Sequence, residues 1–407
     1  MALNLIFITN IGNKIMENIV LNRKCILSPV KDCDWASEMV LNPAIIKDPD
    51  SNRVHMLVRV SGPYPEKQLE GKPLPYPIFM AYGFSDDGGK NFEFDFETPA
   101  LAPALEYEKD KIWTVNGRGE RVPAYHNGCL EDPRLFFVEG QCYLTLACRM
   151  FPPGPYWEQD IPTQCAPDWA LQDDSPFKIG DNYTVTVLYK VDLNLLSKKD
   201  YKNAFTFITH LTDPKYGQDR DVILMPRKML IDGKMQYVMI HRPVTPDKYD
   251  EFNVSLPTMV MSAAPDFYSF ADNATRREIL YTPQFDWQGN RVGASTPVID
   301  MGNGELLLSF HGKQDDEHGY AQSFMILREK ENDFPEITNL YPKPWITNEA
   351  DFERPAKFGI PCVFFTGIIK QDDKLLVSYG AADEFAATME LDYNKLVEIL
   401  RKYPYNK

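Results

Sequence analysis

The sequence predicts an all-β protein, a five-bladed β-propeller, and three observations carry that prediction. A hairpin unit recurs five times along the 407 residues. Aromatic residues reach 13% and prolines number 32, a composition that suits pleated, turn-rich structure. The strands read as apolar runs, and their polar interruptions fall at the same two places in every copy. Five units of about four strands, spaced about 70–90 residues apart, describe a propeller rather than a β-sandwich or a pair of β-domains.

In chain order, the first hairpin pairs Ala44-Ile45-Ile46 with Val54–Val58 across Asp48-Pro49-Asp50-Ser51-Asn52. The second pairs Leu135-Phe136-Phe137 with Cys142–Leu146 across Glu139-Gly140. The third runs from Val222-Ile223-Leu224 through Asp232-Gly233-Lys234 to Tyr237–Ile240. The fourth joins Pro297-Val298-Ile299 to Leu306–Phe310 across Gly302-Asn303-Gly304, and the fifth joins Phe364–Ile369 to Leu375–Tyr379 across Asp372-Asp373. Gly, Asn and Asp supply the positive φ that tight hairpins need. A further strand follows each hairpin, at Ile78–Tyr82, Tyr183–Tyr189, Thr258–Ser262, Ser323–Leu327 and Ala386–Leu391. A helix is expected at Asn394–Lys402. Residues 27–407 are read as one propeller domain and residues 1–26 as an N-terminal extension, with Met16 a second plausible start.

Composition excludes several classes. The net charge is −15 and no basic stripe occurs, which excludes nucleic-acid binding. The apolar N-terminus has neither a basic flank nor a small-residue cleavage site, so no secretory signal is expected. No run of 18 apolar residues occurs, so no membrane span is expected either. The seven cysteines show no CxxC or Cys/His metal spacing. Cys142 and Cys148 read as core thiols, consistent with a reducing, cytoplasmic setting. Residues 61–77, 104–127 and 151–180 break the repeat. Loops of that length act as lids or oligomer contacts, so a homo-oligomer is among the expectations. Tyr156, Trp157 and Trp169 in the last of them suit either sugar stacking or packing onto their own blade.

In an antiparallel hairpin the start of strand one and the end of strand two lie at the same end. Strand-one starts carry Asn42-Pro43, Glu131-Asp132-Pro133-Arg134, Asp219-Arg220-Asp221, Ser295-Thr296-Pro297 and Thr366-Gly367. Strand-two ends carry Arg59, Arg149, His241-Arg242, His311-Gly312 and Tyr379-Gly380-Ala381-Ala382-Asp383. All ten clusters are therefore expected on one face, around the axis. Within Glu131-Asp132 the two carboxylates are expected on opposite faces of an extended chain, with Asp132 toward the cavity. Arg59, Arg149, Arg220 and His241 make a site for a tetrahedral anion, or pair with neighbouring acids as blade-end salt bridges. An acid opposite them suits an inverting glycosidic cleavage in which bound phosphate replaces activated water.

These pieces resemble glycoside hydrolase family 130. The matching stretches are Asn42-Pro43-Ala44, Ser85-Asp86-Asp87-Gly88, Glu131-Asp132-Pro133-Arg134, His241-Arg242-Pro243, Val292-Gly293-Ala294, His311-Gly312, and Pro361 through Thr366-Gly367 to Asp383. The resemblance implies an inverting β-mannoside phosphorylase that yields α-mannose 1-phosphate. Its general acid is Asp132, which in some members acts through a mannosyl hydroxyl. Phosphate falls to Arg59, Arg149, Arg220 and His241. Sugar hydroxyls fall to Asn42 and Asp383, with Glu131, Arg134, His311 and Tyr379 as further sugar-side candidates. The resemblance implies no metal and no cofactor beyond phosphate as co-substrate. Cys129-Leu130 stand where the family has Gly-Ala, Arg220 stands where lysine is common, and the long insertions would alter the acceptor side. Two other readings compete. One is an inverting β-mannosidase using water, with Glu251 or Asp300 as base. The other is a non-catalytic sugar-binding propeller.

Overall fold

The computed structural model describes residues 18–62, 68–69, 72–73, 77–103, 112–149, 184–314, 319–354 and 361–406. Five antiparallel sheets succeed one another along the chain. Blade one consists of Met39–Lys47, Val54–Ser61, Phe79–Ser85 and Glu93–Asp95. Blade two is Cys129–Val138, Gln141–Arg149, Val185–Val191 and Phe205–His210. Blade three is Asp219–Leu224, Lys234–Pro243, Met259–Ala264 and Arg276–Tyr281, with the short strand Met229–Ile231 added to its hairpin. In blade four the inner strand is split into Val292–Ala294 and Ile299–Gly302, both paired with Glu305–Lys313, and Tyr320–Lys330 and Asp333–Leu340 follow.

Blade five is Val363–Gln371, Lys374–Ala381, Phe385–Asp392 and, outermost, Val20–Leu27. That last strand comes from the segment set aside above as an extension. It pairs antiparallel with Phe385–Asp392, so one blade is built from both ends of the described chain and the ring is closed by backbone hydrogen bonds. Its composition hid it. An edge strand meets the core on one side only, and Leu21 is 51% exposed.

The apolar residues form five principal layers, one between each pair of successive blades. Each inner strand is therefore covered on both faces, which explains continuous runs such as Ala44-Ile45-Ile46 where a half-exposed strand would alternate. Cys142 and Cys148 lie in the layer between blades one and two as free thiols. The turn Ser85–Asn91 is organised by Asp87, whose carboxylate accepts from the Ser85 hydroxyl and the Lys90 and Asn91 amides. The helix spans Tyr393–Leu400, and the Asp392 side chain caps it by accepting from the Lys395 amide. No helix among the described residues is long and apolar enough to cross a membrane.

Of the three irregular stretches, only the second is largely described. There Trp113–Val115 and Arg121–Pro123 form a hairpin. Its Arg118 lies over the Tyr268 ring and donates to Asp266 of blade three at 2.5 Å. Tyr156, Trp157 and Trp169 lie outside the described residues.

The inner strands share one irregularity, and it positions the site. The ladder slips between Leu41 and Ala44, between Glu131 and Arg134, between Arg220 and Ile223, and between Phe365 and Gly367. In blade four the break spans Ser295–Val298. At three of these points a residue takes the left-handed conformation: Asn42 (φ 47°), Asp132 (φ 49°) and Asp221 (φ 56°). Asn and Asp tolerate that region better than other non-glycine residues. Each bulge re-aims polar side chains at the axial end of its blade.

Candidate active site

The pairings Leu41↔Arg59, Cys129↔Arg149, Arg220↔Arg242, Gly293↔His311 and Val363↔Ala381 put the ten clusters at one end of the five hairpins. At their centre stand Glu131 and Asp132. Strict alternation would separate them. Instead, both reach the same guanidiniums, because the chain reverses hand at Asp132 and the alternation restarts there.

Asp132 Oδ1 accepts from Asn42 Nδ2 and from Arg59 Nη1, each at 2.7 Å. Arg59 Nη1 also lies 3.3 Å from Glu131 Oε2. Arg149 Nη2 donates to Glu131 Oε1 at 2.9 Å. Arg220 Nη1 donates to Glu131 Oε2 at 3.1 Å and stands 3.8 Å from Asp132 Oδ2, while its Nη2 donates to Thr184 Oγ1 at 2.9 Å. Burial alone would raise the Glu131 carboxyl, but the three guanidiniums outweigh it and hold it well below the usual carboxylate range. The side chains of Arg59, Arg149 and Arg220 remain 15%, 30% and 22% exposed, so part of each faces the mouth. Asp383, also left-handed (φ 56°), stands near Arg59 and Asp132 from blade five. Burial raises its carboxyl, with Arg59 opposing that effect.

A second polar layer lies behind this one. Arg134 is buried, and it donates to the Ser295 carbonyl (3.0 Å), to the Asp132 carbonyl (2.9 Å) and to Asp221 Oδ1 (3.2 Å). Asp221 Oδ2 accepts from Arg242 Nε at 2.5 Å and lies 3.4 Å from His311 Nε2. Burial would raise Asp221, but Arg242 and Arg134 hold it well below the carboxylate range. Burial also lowers the His311 ring to about 3, so it is neutral. Its Nδ1 lies 3.0 Å from Ser295 Oγ. A Cβ on Gly293 would stand 2.4 Å from Asp221 Oδ2, so glycine there lets the layer form.

The structure thus brings Asn42, Arg59, Glu131, Asp132, Arg149 and Arg220 into mutual contact, with Asp383 beside them. Four other candidates are placed behind. Arg134 and His311 belong to the buried layer. His241 is buried with both nitrogens engaged, Nδ1 at 2.6 Å from Asp219 Oδ2 and Nε2 at 2.8 Å from Ser262 Oγ. Tyr379 lies in the apolar layer between blades four and five and donates to Glu353 Oε1 at 2.7 Å. Neither candidate base lines the cluster. Asp300 is close to its hairpin turn, at the end opposite the site, and pairs with Arg227. Glu251 is exposed and pairs with Arg277 at 3.2 Å. Thr184 and the Asp221–Arg242 pair are additions. Arg242 was legible as the neighbour of His241, but nothing in the sequence marks Thr184. Among the described residues no three His, Cys, Asp or Glu side chains are grouped to hold a metal.

Asn42 depends on a close approach from blade five. A Cβ added to Gly380 would fall 1.9 Å from Asn42 Oδ1. Gly380→Ala should therefore displace Asn42 and release its hydrogen bond to Asp132. We expect a loss of about tenfold or more in kcat/KM against a small change in urea midpoint, since a misplaced contact at a reacting group costs more than a packing adjustment. Steady-state kinetics beside a urea titration check this.

The model for the β-1,4-mannooligosaccharide phosphorylases of glycoside hydrolase family 130 matches residues 179–402, from the outer two strands of blade two through blades three and four to the C-terminal strands and helix of blade five. A β-1,2-mannobiose phosphorylase from Listeria innocua is 27% identical over 289 residues, covering 67% of this chain and 74% of the relative. Another, from Thermoanaerobacter sp., is 23% identical over 378 residues, covering 92% and 97%. The solved structure of the Listeria innocua enzyme with β-1,2-mannobiose superposes with a TM-score of 0.59 at 17% identity, over 90% of this chain and 92% of that one. A glycosyl hydrolase from Bacteroides ovatus gives 0.58 at 14% identity, over 93% and 94%. Both are similar to this chain in fold.

Proposed function

The chain belongs to glycoside hydrolase family 130, and from that premise we propose that it is an inverting β-mannoside phosphorylase with Asp132 as general acid. One observation carries the reading: three partly exposed guanidiniums, those of Arg59, Arg149 and Arg220, converge on Glu131 beside Asp132, the carboxylate that Asn42 orients. A hydrolase needs a carboxylate base on the attacking side, and among the described residues Glu131 and Asp132 are both engaged by arginine, while Asp300 and Glu251 pair with arginines away from the cluster. Guanidiniums instead suit a tetrahedral oxyanion.

In the proposed reaction the mannosyl unit lies against Asn42 and Asp383. Phosphate enters among Arg59, Arg149 and Arg220. In taking the Arg59 guanidinium, phosphate frees Asp132 Oδ1 to carry a proton. The glycosidic bond then breaks as a phosphate oxygen attacks the anomeric carbon from the opposite face. The Asp132 proton goes to the leaving oxygen, directly or through a mannosyl hydroxyl, and the products are α-mannose 1-phosphate and the shortened sugar. Arg134, Asp221, Arg242 and His311 hold the bulge beneath, and His241 with Asp219 and Ser262 braces the blade that carries Arg220.

The two relatives named for β-1,2-mannobiose make that disaccharide the first substrate to test, with β-1,4-mannobiose beside it. Turnover should saturate with inorganic phosphate and fall to background without it, and sulfate should compete. Equal turnover in phosphate-free buffer would overturn the proposal.

A further inference from the structure

The Glu131 carboxylate is engaged on both oxygens by groups of the protein itself. Its Oε1 accepts from Arg149 Nη2 at 2.9 Å and from the Cys129 thiol at 3.2 Å. Its Oε2 accepts from Arg220 Nη1 at 3.1 Å and lies 3.3 Å from Arg59 Nη1. A carboxylate offers about four lone-pair sites; here three accept hydrogen bonds and the Arg59 guanidinium stands within ion-pair distance of Oε2. The side chain is only 4% exposed, whereas the three arginines it holds are partly open to the mouth. Those arginines come from three strands in three blades: Val54–Ser61, Gln141–Arg149 and Asp219–Leu224. Long guanidinium side chains from separate blades repel one another and carry large rotamer freedom. One buried acid touching all three removes both obstacles.

We propose that Glu131 is a positioning residue: it gathers Arg59, Arg149 and Arg220 into a preformed clamp for the attacking phosphate, and it contacts neither sugar nor phosphate itself. Cys129, which stands where the family carries a small residue, supplies the fourth donor. The inference rests on the phosphorolytic reading above and adds the residue that organises its anion site. It also separates two effects of opposite sign. Neutralising Glu131 adds one unit of positive charge to the cluster, which by Coulomb attraction alone tightens phosphate binding. Losing the anchor lets three guanidiniums disperse, which weakens it.

The test is calorimetric titration of the full chain with inorganic phosphate, and separately with β-1,2-mannobiose, for the wild type, Glu131→Gln and Glu131→Asp. Glutamine preserves shape and removes charge. Aspartate preserves charge and withdraws it by one methylene. The expected result is a phosphate Kd raised about tenfold or more in both variants, with mannobiose Kd within about twofold of wild type. The aspartate variant also keeps the result readable if burying a glutamine among arginines impairs folding, which a urea titration reveals. Unchanged or tighter phosphate binding in Glu131→Gln overturns the inference. So does weakened mannobiose binding with phosphate unaffected, which would make Glu131 a sugar ligand. A wild type that cleaves mannobiose but binds no phosphate overturns the phosphorolytic reading itself, and the inference with it.

Discussion

Asp132→Asn should lower kcat/KM for β-mannobiose by about 10²–10⁴-fold, the contribution of a positioned general acid. Asparagine keeps the shape, so the Asn42 and Arg59 partners at 2.7 Å lose a charge rather than a contact, and the fold should survive. The defect should depend on the leaving group. A mannoside whose aglycone is already acidic, such as a nitrophenol, needs little protonation, and on it the variant should recover most of the lost rate. Comparing the two substrates by initial rates checks the assignment. An equal loss on both would mean that Asp132 binds the ground state and does not protonate the leaving oxygen.

Arg134→Met should instead unfold the protein more readily, by about 3–5 kcal/mol, the cost of removing one partner from a buried charge network. The substitution leaves Asp221 to Arg242 alone among the arginines and orphans the Ser295 and Asp132 carbonyls. Urea midpoints measure it. Arg149→Met is the control: that side chain is 30% exposed and Glu131 keeps two other guanidiniums, so it should cost much less. The pH dependence has a definite sign. Arg242 and Arg134 depress the folded-state value of Asp221. Its contribution is therefore complete above the unfolded-state value of about 3.9. It disappears as pH falls through the depressed folded value. Arg134→Met should flatten that acid-side loss.

The contrast between these two residues shows how far the sequence could be read. Glu131-Asp132-Pro133-Arg134 stands out as a charged turn, and the repeat places it at the axial end of its blade. The apportioning of roles within it was not legible. A period of two assigns faces correctly until the chain enters the left-handed region, and the shift falls at Asp132 itself. After the bulge Arg134 turns inward to Asp221, 87 residues away, and Glu131 joins Asp132 on the arginines. The five hairpins were legible because their turns carry Gly, Asn and Asp and their strands are buried on both faces. Strand Val20–Leu27 was not, because an outer edge tolerates Asn22, Arg23 and Lys24 and so lacks an apolar signature. His241 carried a residue type suited to anion binding. Its engagement by Asp219 and Ser262 is a tertiary pairing between strands that no local pattern announces.

In the proposed reaction the guanidinium cluster delivers phosphate, not water, to the anomeric carbon. The measurement that tests it most directly follows β-1,2-mannobiose and inorganic phosphate in ¹⁸O-labelled water, with phosphorus and proton NMR and mass analysis of the sugars. Phosphorolysis should give α-mannose 1-phosphate as fast as the disaccharide disappears, with no label at the anomeric oxygen of that product. Free mannose carrying ¹⁸O, with no sugar phosphate, would contradict it.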